Sequence, residues 1–319
     1  MRTLLASCCL ALGLSTAWAA DPYPSKPITL VIPQAPGGAN DIVGRALAQR
    51  LAIALGQPVV VDNKPGAGGN VGTALVARAP KDGYTLMITA QSAQTINPSL
   101  YKKVPFDPVK DFEPIMVVAT APYLLAASPN FPAKNIKELI AMAKADPGKL
   151  TYASAGNGTV NHLPGEMLKS TANVDIVHVP YKGAAAAATD VIAGLCTMTF
   201  GSFPGVMPFV KSGQLRVIAA ATEQRTSLAP DMPTLAESVP GLHANAWYGL
   251  FAPAGTPKEV VTRLHQEIVK LLQLPEIKER FNALGAEVTP STPEQLAALV
   301  KSDLTRWSKI VKESGAQLD

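Results

Sequence analysis

Apolar positions along this chain switch between two spacings, and the switching predicts alternating strands and helices. Ile28, Leu30, Val31 and Ile32 form a β-type run that ends in a Pro/Gly turn. Val43, Leu47, Leu51 and Leu55 then recur at helical spacing, with Asn40 or Asp41 placed to cap the helix. Continued to residue 89, the pattern reads strand 28–32, helix 41–55, strand 58–62, helix 70–79 and strand 84–89. That order implies a mostly parallel sheet covered on both faces. Past Pro114 the chain is extended over 115–119 and 123–127. The alternation resumes with helix 135–145, strand 150–153, helix 160–171, strand 176–179, helix 184–193 and strands 196–200 and 215–221. A last extended stretch at 246–251 precedes helices over 257–272, 276–283 and 293–314.

Two long extended segments bracketing a central α/β unit are the pattern of a hinge made of two crossovers, near 119–124 and 245–249. One lobe is then built from residues 20–123 plus 246–319 and a second from 124–245. The spacing alone does not require the two crossovers to pair. Residues 1–19 read differently: Arg2 is their one charge, residues 4–14 are apolar, and Ala17-Trp18-Ala19 fits a small-residue cleavage site. The apolar run is too short to span a bilayer, so a signal peptide removed after Ala19 and a secreted chain are expected. Cys8 and Cys9 lie inside that segment, which leaves Cys196 as one buried thiol and no intramolecular disulfide.

Composition adds only exclusions. The chain is 47% hydrophobic and 16% charged, which argues for extensive burial and against disorder. A net charge of +4 is spread along the sequence without a basic block, so nucleic acid is not expected as a partner. The segment 66–72, GAGGNVG, misses the dinucleotide fingerprint because its third glycine arrives one place late, and it lacks the Lys-Ser/Thr of a phosphate loop. No serine has glycine two places before and two after it, and the four histidines form no metal-ligand spacing. A nucleotide, a hydrolase nucleophile elbow and a metal site are therefore not expected.

The chemistry that remains is anion binding. A strand feeding a glycine turn and a helix start presents unsatisfied N–H groups and the positive end of a helix dipole. Gln34, Pro36, Gly37, Gly38 and Asp41 occupy such a loop, with the Asp41 carboxylate expected to cap N–H groups. A second loop of the same kind, 154–162, contains Ser154, Gly156, Thr159 and His162. His162 can serve there as a ligand contact, a cap or a packing residue. The turn after strand 176–179 offers Tyr181, Lys182 and Gly183, either as ligand contacts or as a packed tyrosine and a solvated lysine. Thr89, with Gln91 just beyond it, ends strand 84–89 and should face the same crevice, outside the carboxyl ends of the strands. His178 alternates with Val177 and Val179 and reads as a packed or edge histidine.

The segments YPSKPITLVIPQAPGGANDIVGR and GQPVVVDNKPGAGGNVGTALVARAPKDGYTL resemble the N-terminal signature of the Bug family, periplasmic receptors of tripartite tricarboxylate (TctC-like) transporters. The likeness continues through VPYKGAAAAATDVIAGLCTMTF, MPTLAES, WYGLFAPAGTP and LGAEVTPSTPEQL. The resemblance implies an α/β, two-lobe periplasmic-binding-protein fold of the Venus flytrap, type II-like class. It also implies a monomer in the periplasm, a small carboxylate ligand, membrane components of a transporter as partners, and neither catalysis nor a cofactor. Carried over onto this chain, it makes 34–41 the first binding loop, 154–162 the opposing loop and 181–183 a third contact, with Ser202 nearby. Gln34 stands where that family usually has an aromatic residue, and Gly201-Ser202 where an acidic or amide residue is common. An exported ligand sensor feeding a signalling partner shares the same cleft and stays an alternative, as does an exported enzyme whose site converges only in three dimensions.

Overall fold

The computed structural model describes residues 23–37, 39–157, 159–181 and 183–318. The expected signal peptide, Gly38 and Lys182 lie outside the described residues. In chain order the elements are β1 (Ile28–Ile32), α1 (Ala39–Leu55), β2 (Val59–Asn63), α2 (Asn70–Ala77), β3 (Thr85–Ala90) and, after a π-helical turn at Ser92–Ile96, α3 (Asn97–Leu100). The middle of the chain gives β4 (Phe112–Ala121), β5 (Tyr123–Ala127), α4 (Ile136–Ala145), β6 (Thr151–Ser154), α5 (Leu163–Ala172), β7 (Val177–Pro180), α6 (Ala184–Ile192), β8 (Met198–Ser202), α7 (Phe203–Lys211) and β9 (Arg216–Ala220). The chain closes with β10 (Ala246–Pro253), α8 (Lys258–Leu272), α9 (Pro275–Ala283), β11 (Glu287–Val288) and α10 (Pro293–Ser314).

The strands form a six-stranded sheet, order β11-β4-β10-β3-β1-β2, and a five-stranded sheet, order β7-β6-β8-β5-β9. Both are mixed, which corrects the expectation of mostly parallel sheets. The βαβ units give parallel pairs β1–β2, β1–β3, β6–β7 and β6–β8. The long crossover strands enter antiparallel, as in β10–β3, β10–β4, β5–β8 and β5–β9. A strand that enters a sheet from the crossover end must run against the βαβ strands, whose carboxyl ends lie there, and the sequence pattern carried no sign of that.

Period-two alternation sorts each strand between two cores. In β1, Ile28, Leu30 and Ile32 face a cluster with Val43, Leu47 and Leu51 of α1 and Leu264 and Ile268 of α8. Val31 turns the other way, toward Met87, Phe251, Leu296 and Val300. The second sheet repeats the arrangement: Leu125, Tyr152, Met198 and Phe200 on one face, Leu124, Ala153, Val191 and Val206 on the other. A fully buried leucine such as Leu47 contributes roughly 1.5–3 kcal/mol through removal from water. Gly72 lets α2 approach the sheet: a Cβ there would lie 2.7 Å from the Lys64 carbonyl and 2.9 Å from Pro33 Cα. The glycines of 66–72 thus serve close packing.

The sheets are joined at one end. β4 passes through Pro122 directly into β5, and the return segment 221–245 enters β10. Ala246 pairs with Ala121, so the two crossovers lie side by side as strands. α10 is capped by Thr292 and Gln295 in a reciprocal capping box. Its first turns place Leu296 and Val300 in a core of the first sheet, and its last turns place Trp307, Ile310 and Val311 in a core of the second. Ile96 and Leu100 also join that second core. The expected division, with all of 246–319 in one lobe, therefore cuts across packing that α10 shares between both sheets.

Candidate ligand-binding site

β1 and β3 run parallel, and Ala90 at the end of β3 pairs with Tyr248, two residues into the β10 crossover strand. In the other sheet Ser202, at the end of β8, pairs with Tyr123, the first residue after the Pro122 crossover. β6 is parallel to β8. The carboxyl ends of β1, β3, β6 and β8 therefore all lie at the ends of the two sheets that meet at the crossovers, where ligands of open α/β sheets collect.

The loop after β1 is held by one carboxylate. Asp41, on the first turn of α1, is 3% exposed. Its oxygens accept the Gly37 N–H at 2.9 Å, Arg45 Nε at 3.0 Å and Asn63 Nδ2 at 2.9 Å. Arg45 also donates to Asn63 Oδ1 at 2.7 Å, and Asn63 Nδ2 to the Gln34 carbonyl at 3.0 Å. Burial alone would raise the Asp41 carboxyl, but the bonds from Arg45, Gly37 and Asn63 outweigh it and hold the group below its ordinary value. Asp41 thus caps the loop in front of the helix and takes up the Gly37 N–H. Gly37 has φ +84°, a left-handed conformation that glycine adopts without strain. Pro36 and Gly37 are exposed, and Gln34 is half-buried with its side chain bonded to Asn40.

The loop after β6 is organised from below. Ser154 is fully buried; its Oγ accepts the Gly156 N–H at 3.1 Å and lies 2.6 Å from His178 Nε2. Thr159 donates its hydroxyl to the Gly156 carbonyl at 2.8 Å, which closes the turn. Gly156 itself has φ +127°. His162 is 3% exposed, so it packs beneath the loop. Its ring stacks on His178 at 3.9 Å, and Tyr152 stacks on His178 at 4.9 Å. Glu166 accepts the Tyr152 hydroxyl and pairs with Lys169 at 3.1 Å, with His162 Nε2 at 3.6 Å. Burial would raise Glu166, yet His162, Tyr152 and Lys169 hold it down at about 2. His178 is lowered to about 4, first by burial and then by the neighbouring His162.

The remaining candidates divide. Tyr181 gives its backbone N–H to the Ser154 carbonyl at 3.0 Å and its hydroxyl to Asp190 at 2.7 Å, which pushes the phenol up to about 12. Gly183, with φ +126°, precedes α6, whose N-terminus has no side-chain cap. Ser202 stands at the corresponding position of α7, again without a side-chain cap bond. Between these helix starts is a cavity of about 170 Å³ lined by Asn161, Ala184, Thr199, Ser202 and Val206, among others. Thr89 is fully buried and Gln91 nearly so; Gln91 Nε2 donates to Asp303 at 2.6 Å and so ties β3 to α10. A second cavity of about 630 Å³ lies behind the crossovers, with Glu223, His243, Asp303 and Arg306 in its wall. Arg306 is already paired with Asp303 at 2.7 Å, and none of the sequence-predicted residues lines this cavity, so the anion chemistry stays with the loops.

Asn40, Asn63, Asn161 and His178 shape these loops, and the sequence pattern did not single them out as parts of the site. Asn40 had a visible signal, since it directly precedes Asp41 at the helix start. Asn63 and His178 reach the loops from neighbouring strands, which spacing along the chain does not reveal.

Comparison with known proteins gives a consistent answer. The profile of the family described as "Tripartite tricarboxylate transporter family receptor" matches residues 43–316. The chain is 34% identical over 308 residues to Protein BugT of Bordetella pertussis, covering 96% of this chain and 94% of that protein. Among solved structures it is similar to R. palustris Rpa4515 with adipate, at a TM-score of 0.75 and 34% identity over 93% of this chain and 100% of that one. It is also similar to MatC (Rpa3494) from Rhodopseudomonas palustris with bound malate, at a TM-score of 0.71 and 32% identity over 91% of this chain and 100% of that one.

Proposed function

This chain belongs to the tripartite tricarboxylate transporter receptor family, and from that premise we propose that it captures a small carboxylate between its two sheets and hands it to membrane components of a transporter. The observation that carries the reading is the pair of glycine loops, after β1 and after β6, at the ends of the sheets that meet at the crossovers. Side chains in these loops are largely spent on the loops themselves: Asp41 on Gly37, Ser154 on Gly156 and His178, Tyr181 on Asp190. What remains for a ligand is backbone N–H groups, the uncapped starts of α6 and α7, the Gln34 amide and the Ser202 hydroxyl. That set suits an anion. Adipate and malate in similar proteins support a small carboxylate.

In this reading Pro36, Gly37, Gly156, Thr159, Gly183 and Ser202 border the ligand. Asp41, Thr89, Gln91, Ser154, His162 and Tyr181 hold the frame. Each charge-assisted hydrogen bond contributes roughly 1.5–3 kcal/mol net. Three or four, offset by association and closure costs, give micromolar binding, roughly −8 kcal/mol. Removal of residues 1–19 and delivery to the periplasm belong to the same proposal. No helix among the described residues is long and apolar enough to cross a membrane. Titration calorimetry against mono- and dicarboxylates should find at least one ligand at one site per chain. Binding confined to neutral sugars or metal ions would sink the reading.

A further inference from the structure

Asn40 and Gln34 form a pair whose orientation is fixed by the backbone beside it. Asn40 is 4% exposed, and its Nδ2 donates to the Ile88 carbonyl of β3 at 3.1 Å. The same Nδ2 donates to Gln34 Oε1. A backbone carbonyl only accepts, so turning the Asn40 amide over would set oxygen against oxygen. The orientation holds although it leaves Asn40 Oδ1 buried without a hydrogen-bond partner among the described residues. Gln34 is thereby oriented in turn: its oxygen faces Asn40, so both N–H groups of its Nε2 point away from that contact. Its backbone is pinned as well, through the Asn63 bond to its carbonyl.

We propose that Gln34 is a specificity-determining residue, with Asn40 its positioning residue: the pair presents a preset amide donor to the ligand. The inference rests on the carboxylate reading above and narrows its substrate class. Two N–H groups at this wall favour a ligand with an acceptor at that end, a second carboxylate or a hydroxyl oxygen. They disfavour an aromatic or aliphatic end, which would strip water from the amide and return no hydrogen bond. The selected class is short dicarboxylates and hydroxy acids over aromatic monocarboxylates.

The test is calorimetry with malate, adipate and benzoate as probes. Wild type should bind malate or adipate at least tenfold more tightly than benzoate. Gln34→Leu, a substitution of similar size at a half-buried position, should weaken the dicarboxylate about tenfold and leave benzoate unchanged or tighter. Asn40→Ala should weaken the dicarboxylate several-fold when Gln34 is present and add nothing in a Gln34→Leu background, a non-additivity that a purely structural role would not produce. Circular dichroism of each variant checks the fold, and Gln34→Leu alone decides the first claim if Asn40→Ala does not fold. Equal losses for dicarboxylate and benzoate, or a dicarboxylate affinity within twofold of wild type in Gln34→Leu, would overturn the specificity role while the carboxylate reading stands. Additive effects of the two substitutions would overturn the positioning role. Wild-type binding of benzoate as tightly as malate and adipate would overturn the substrate class alone, and binding of no mono- or dicarboxylate would remove the carboxylate reading and this inference with it.

Discussion

The His178 imidazole, stacked at 3.9 Å on a second ring under a glycine loop, is costly to charge. His178 sits between His162 and Tyr152 with its Nε2 against the Ser154 hydroxyl, and it stays neutral down to about pH 4, well below its ordinary 6.5. Lys169 opposes its protonation and Glu166 favours it, with burial and His162 deciding the direction. The folded-state value lies below the unfolded one, so the unfolded chain binds more protons between the two. The stabilisation is complete above pH 6.5 and is lost as pH falls toward 4. Glu166, held at about 2 against an ordinary 4.5, adds a loss of the same sign at lower pH. The unfolding temperature of wild type should therefore fall as pH drops from 6.5 to 4, and His178→Gln should flatten that slope; equal slopes would refute the assignment. Alternation with Val177 and Val179 made His178 legible as a packed or edge strand residue, and it is a stacked ring on the edge strand β7. Its partner Ser154 was not legible, because the β6–β7 register that joins them is a property of the sheet and not of either segment.

Elements were legible wherever one face is apolar and the ends carry turn residues. α10 runs 293–314 as its periodicity required, with Thr292 and Gln295 at its start and Gly315, φ +65°, at its end. α7 has no counterpart in the sequence pattern; Pro204 falls in its first turn, where its absent N–H costs nothing, and α7 tolerates Pro208 over its short length. Crossover strands read as extended, but their pairing at Ala121 and Ala246 did not follow from either stretch. What α10 does between the cores centres on Asp303, whose carboxylate accepts Gln91 Nε2, Trp247 Nε1 and Arg306 Nη2 at 2.6–2.9 Å. Asp303→Ala leaves the buried Gln91 and Trp247 donors, and the half-buried Arg306 Nη2, without their carboxylate. It should cost about 3–5 kcal/mol in urea unfolding, as loss of one partner from a buried charged pair does. A loss below about 1 kcal/mol would mean that water replaces the carboxylate.

At the scale of the molecule, the βαβαβ rhythm and the central α/β unit announced two layered sheets, and long extended runs announced their connection. The mixed pairing and the sharing of α10 between both cores had no signature, since both arise where segments distant in sequence meet. If the sheets close on a ligand about Pro122 and the segment entering β10, α10 must slide or bend with them. Small-angle scattering should then show a smaller radius of gyration at saturating ligand; an unchanged curve would favour a rigid receptor. The same helix also makes the motion visible without a label. If residues 1–19 are removed as proposed, Trp18 goes with them, and two of the chain's three tryptophans remain: Trp247 on the crossover strand β10 and Trp307 on α10. Trp247 Nε1 is bonded to a carboxylate, whereas Trp307 Nε1 is buried with no hydrogen-bond partner among the described residues. Tryptophan emission from the processed chain therefore originates at the joint between the cores, from two indoles in unlike surroundings, and its colour and lifetime are an intrinsic gauge of hinge geometry.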